Sequence, residues 1–71
     1  MIVVVNEQTV EVDGQTTIAA LLESLGFPDR GIAVAMEFAV LPRSEWATRL
    51  AELSTLAEPV RLEVVTAVQG G

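Results

Sequence analysis

The chain opens on a near-continuous β-branched run from Met1 to Asn6, the pattern of a strand buried on both faces. Asn6-Glu7-Gln8 is polar and turn-like. Thr9 to Val12 then alternates, with Val10 and Val12 on one face and Thr9 and Glu11 on the other, and reads as the hairpin partner of the first strand, ending at Asp13-Gly14. There the period changes. Ile18, Leu21, Leu22 and Leu25 fall at i, i+3, i+4 and i+7, which gathers four large side chains into one helical stripe. Thr16 or Thr17 can offer the N-cap oxygen. Gly26 suits the left-handed position after the helix, Phe27 can pack back on the last turn, and Pro28 prevents continuation.

After Gly31 a second alternating run places Ile32, Val34 and Met36 on one face and Ala33, Ala35 and Glu37 on the other. Glu37-Phe38-Ala39 reads as a turn or edge, followed by a short strand at Val40-Leu41 and a stop at Pro42. Arg43 to Trp46 reads as a short helical piece with Ser44 as its cap. From Ala47 to Ala57 the register stays open, although Trp46, Leu50 and Leu53 have the spacing of a helical turn or two. Glu58-Pro59 breaks the chain again. Val60 to Ala67 then forms a last strand, with Val60, Leu62 and Val64 inward and Arg61 and Glu63 outward. The order is strand, strand, helix, strand, short strand, strand. Such an order predicts an α+β domain, a mixed sheet with one main helix packed on one face.

Length and charge narrow the functions open to such a domain. Seventy-one residues make one domain, residues 1–71, that buries only about 60% of its surface on folding. An enclosed catalytic cleft would take too much of that core. Cysteine, histidine and lysine are all absent, as is any phosphate-binding glycine loop, so a free-standing enzyme is the weakest reading. The net charge of −6 disfavours nucleic acid and anionic membranes and favours partners with basic docking faces. No spaced carboxylate cluster suits a metal; Glu7, Glu11, Glu23 and Glu63 read as solvated surface. With no leader pattern and no apolar stretch near the ~20 residues that span a bilayer, the expected address is cytoplasmic. The expected free state is a monomer. All four cations are arginines. Compositional drift explains this, and so does a need to keep nucleophilic lysines away from an activated acyl group.

The end of the chain carries the candidate chemistry. Val68 and Gln69 lead to Gly70 and Gly71, whose backbone has no Cβ atoms. Such a tail can thread a narrow channel in another protein and bring its carboxylate to a bound nucleotide. A free carboxylate is a poor electrophile, so a partner must activate it, for instance by adenylation with ATP. The competing reading is a frayed terminus with no role.

The Ile2-Val3-Val4-Val5-Asn6 strand, Thr17-Ile18 leading into Leu21-Leu22, Gly31 to Ala35, the Leu41-Pro42-Arg43-Ser44-Glu45-Trp46 block and the end from Val64 to Gly71 together resemble the sulfur carriers of thiazole biosynthesis. These form the ThiS-type branch of the ubiquitin-like β-grasp proteins. The resemblance implies a β-grasp fold with a flexible diglycine tail at about 68–71, and a cycle run by other proteins. An E1-like adenylyltransferase would adenylate the Gly71 carboxylate using ATP. A persulfide donor derived from a cysteine desulfurase would convert it to a thiocarboxylate. Thiazole synthase would then take the sulfur for thiamin. The chain itself would bind no cofactor. Departures from the family pattern, Glu37-Phe38 and Ala57-Glu58-Pro59 among them, fall in loops.

Gly71 is thus the reacting residue expected, Gly70 its spacer, and Val68 and Gln69 the lining of the tail's path. Val65, Ala67, Phe38 and Arg43 are candidates for a partner surface. Two other functions share this tail. One is a molybdopterin synthase small subunit or another diglycine sulfur carrier; the other is a ubiquitin-like protein modifier.

Overall fold

The structure is a computed structural model and describes residues 1–37, 39–55 and 59–66. Five strands form one sheet: β1 (Ile2–Val5), β2 (Gln8–Glu11), β3 (Ile32–Met36), β4 (Ala39–Leu41) and β5 (Val60–Thr66). Their order is β2-β1-β5-β3-β4. The central pair β1 and β5 is parallel, and the other neighbours are antiparallel, so the sheet is mixed. Helix α1 (Ile18–Ser24) packs on one face. A 3-10 turn at Arg43–Glu45 and a single helical turn, α2 (Leu50–Leu53), lie between β4 and β5. The element order predicts this mixed sheet with one main helix, and the arrangement is consistent with the ubiquitin-like β-grasp fold that the resemblance implies.

The core sits between α1 and the inner face of the sheet. Ile18, Leu21 and Leu22 meet Val3, Val5, Val34, Met36, Val60, Leu62 and Val64, with Trp46, Leu50 and Leu53 closing the side. The alternation expected for β3 and β5 holds: the inward residues are buried or nearly so, and Arg61 and Glu63 are exposed. β1 differs from expectation. Only Val3 and Val5 are buried, while Ile2 is 42% exposed and Val4 half-buried, because among the described residues no second layer covers the outer face.

Local signals account for α1. Thr17 is the N-cap, its hydroxyl accepting from the Ala20 amide at 3.1 Å. At the other end the Phe27 amide donates to the Leu22 carbonyl and the Gly26 amide to that of Glu23, each at 3.0 Å. Those two bonds are a Schellman motif with Gly26 at φ +88. A Cβ on Gly26 would meet nothing within 4 Å, so only the backbone conformation opposes a side chain there. Gly26→Ala is therefore expected to lower the unfolding free energy by about 1–2 kcal/mol in urea titration. A neutral result would mean that the turn relaxes out of the left-handed region.

The segment from Ala47 to Ala57, whose register the sequence leaves open, is described as far as Thr55, and distant backbone holds its first part; Leu56, Ala57 and Glu58 lie outside the described residues. Ile18 donates to the Thr48 carbonyl at 3.1 Å and Ala19 to that of Trp46 at 3.0 Å, so residues 46–48 cap the first turn of α1. In return Leu50 donates to Thr16 at 2.8 Å and Ala51 to Gly14 at 2.9 Å. Gly14 allows this approach, since a Cβ there would lie 3.2 Å from that of Ala51. Ser44 is not a cap. It lies inside the 3-10 turn, whose N-cap is Pro42 with no side-chain bond, because proline's extended backbone already sets the entry.

Candidate functional site

Strand β5 is the base from which the tail leaves. Among the described residues it is the longest strand, and it is the middle strand of the sheet, flanked by β1 and β3. Its pairing with β3 runs from Glu63 opposite Ala35 to Thr66 opposite Ile32, so β3 accompanies it to its last described residue. The strand is described as far as Thr66. Ala67, Val68, Gln69, Gly70 and Gly71 lie outside the described residues, as does Phe38.

Val65 is 58% exposed and projects from the outer face of the sheet, opposite to Val64. The register gathers other apolar side chains on that face. Ala33 lies opposite Val65, and Ala35 opposite both Glu63 and Val40. Val40 is 69% exposed, and Ile2 and Val4 continue the face on β1. At its centre a shallow concavity of about 250 Å³ is lined by Val4, Ala35, Leu62, Arg61, Glu63, Glu7 and Glu37. Glu7 and Glu37 have left-handed backbones at φ 68 and 54, which sets a carboxylate-bearing residue on each of two turns beside the hollow. Among the described residues Arg61 forms no ion pair. The arrangement offers an apolar floor with polar, mostly acidic rims.

Arg43 belongs elsewhere. Its guanidinium lies over the Trp46 ring, 4.9 Å from the centroid, a cation–π contact that holds the side chain along the loop. The Trp46 indole N–H donates to the Leu41 carbonyl at 3.4 Å. Arg43 and Trp46 line a second hollow of about 260 Å³ with Leu22, Phe27, Glu23 and Asp29, on the helix side of the sheet. Val65 and Arg43 therefore do not share a face. Ile2, Val4 and Val40 were not candidates in the sequence reading. The alternation in β1 could have found the first two, had the run not looked buried on both sides.

The sequence profile of the ThiS family matches residues 3–71, all but the first two residues and through to the terminal glycines. The chain belongs to the ThiS family. Membership supports a sulfur carrier of the ThiS/MoaD type, and proteins of the ThiS family are small carriers rather than catalysts. No curated protein matches the chain. Among the described residues no helix is long and apolar enough to cross a membrane.

Proposed function

We propose that this ThiS-family chain is the sulfur carrier of thiamin thiazole synthesis and that Gly71 is its reacting residue. The observation that carries the reading is a family match extending through Gly70 and Gly71, downstream of the strand that both neighbours hold. An E1-like partner transfers AMP from ATP to the Gly71 carboxylate and releases pyrophosphate. The terminal sulfur of a donor persulfide, supplied by a cysteine desulfurase, attacks the acyl carbon and AMP leaves. A thiol then cleaves the acyl disulfide to give the thiocarboxylate. Thiazole synthase consumes that sulfur. The chain supplies no catalytic group of its own, since it has neither histidine nor cysteine. Gly70, Gln69 and Val68 pass through the partner's channel, Val65 docks with the apolar outer face against the partner's surface, and Ala67 and Phe38 are further contacts. Arg43 is a second contact, on the helix side.

The test is intact mass after incubation with ATP, the adenylating partner and a persulfide donor. The expected gain equals the exchange of one oxygen for one sulfur, and the product should support thiazole formation by thiazole synthase. Sulfur transfer only to a molybdopterin synthase large subunit would move the chain to the other diglycine carriers. Isopeptide conjugates on target lysines, without any mass gain, would make it a protein modifier.

A further inference from the structure

Strands β1 and β5 pair in parallel at Val3–Val60, Val4–Arg61 and Val5–Leu62. The Asn6 amide adds one more bond, donating to the Leu62 carbonyl at 3.0 Å. There β1 ends, because Asn6 at φ 48 and Glu7 at φ 68 turn the chain back into β2. β5 runs on to Thr66. Beyond Leu62 its groups facing β1 have lost the strand that would pair with them.

The Asn6 side chain takes the missing strand's place. Its Oδ1 accepts from the Val64 amide at 2.8 Å, and its Nδ2 donates to the Val64 carbonyl at 3.1 Å. A primary amide carries an acceptor and a donor side by side, which a backbone N–H and C=O of one residue require. Among such side chains asparagine also tolerates the left-handed conformation that the turn imposes. Two residues after Val64 the last described residue of β5 is reached, and the candidate tail follows.

We propose that Asn6 is a positioning residue for the terminal carboxylate: by clamping Val64 it fixes the place and direction from which residues 67–71 depart. This rests on the reading that Gly71 reacts in a partner. With the clamp gone, β3 alone holds the end of β5, and more of the chain must be ordered each time the tail enters. Once seated, the tail takes its geometry from the partner's chamber. The loss therefore falls on KM for the carrier rather than on kcat.

The test uses the full chain. Asn6→Gly keeps the left-handed turn and removes both bonds, whereas Asn6→Asp keeps the acceptor alone. In NMR-detected hydrogen exchange of the free protein, the Val64 amide should exchange about tenfold faster in Asn6→Gly, with α1 amides unchanged. With the adenylating enzyme, KM for Asn6→Gly should rise about five- to tenfold while kcat stays within about twofold. Asn6→Asp should fall between it and the native chain. Thr17→Ala, which removes a helix cap away from β5, should leave KM unaltered. Unchanged exchange at Val64 overturns the clamp. Faster exchange with native KM, or an equal rise in Thr17→Ala, overturns the positioning role. Failure of the native chain to be adenylated is a separate result, which overturns the carrier reading and this role with it.

Discussion

Deletion of Gly71 is expected to abolish the sulfur-dependent mass gain, with at least about a thousandfold loss in kcat/KM for adenylation. The size of the effect follows from chain geometry. Removing one residue from an extended tail draws the carboxylate back by about 3.3–3.6 Å. A misplacement of about 1 Å already costs roughly a hundredfold where reacting atoms must be held in line. Appending one alanine should do equal damage, because it buries the Gly71 carbonyl in an amide and puts a methyl-bearing residue in the narrowest part of the path. Neither change should alter folding. Every core residue described lies at or before Val64, so the urea midpoint should stay within error of the native value. The pair of measurements is decisive together. A truncated chain that still gains sulfur would place the reacting group elsewhere; one that loses both the gain and its stability would show that the end is part of the fold.

The outer face makes the deletion more informative. Its exposed apolar residues Ile2, Val40 and Val65 remain in place when the tail is shortened. A truncated chain should therefore still compete with the native one for the adenylating partner, as a substrate analogue lacking only its reacting group. Binding retained without turnover separates the docking face from the chemistry of the tail.

The elements that local sequence determines were legible in it. Ile18, Leu21 and Leu22 carry their own helical period, Thr17 and Gly26 supply both ends, and all three large side chains are buried where the stripe predicts. β3 and β5 likewise show their faces by alternation. β1 was misread because a run such as Ile2-Val3-Val4-Val5 has no polar residue to mark the solvent side. Ile2 is exposed because no second layer covers it among the described residues. The stretch after Trp46 was not readable for a different reason. Its conformation is set by bonds to Gly14, Thr16, Ile18 and Ala19, each more than 25 positions away in sequence. Asn6 was read as a turn residue, which it is. Its second role, to Val64, spans 58 positions and leaves no local pattern.

That same long-range stitching explains the largest stability effect expected in the fold. Leu50→Ala should lower the unfolding free energy by about 2–5 kcal/mol. A core of this size supplies only about 3–5 kcal/mol in all, so the variant should be largely unfolded or lose its cooperative transition at 25 °C. Leu50 is fully buried, and α2 is one turn long with no side-chain cap. A single turn has no stability of its own, because helix nucleation is unfavourable. It persists only while Leu50 and Leu53 are packed and while Leu50 and Ala51 donate to Thr16 and Gly14. If α2 detaches, residues 46–48 lose their anchor, and the Ile18 and Ala19 amides lose the carbonyls that cap α1. The damage therefore spreads from a peripheral turn into the main helix. Leu25→Ala, at the half-buried C-cap of that helix, should cost distinctly less. Urea titration followed by far-ultraviolet circular dichroism compares the two directly. A Leu50→Ala midpoint close to that of Leu25→Ala would mean that α2 merely rests on the core instead of holding the helix start in place.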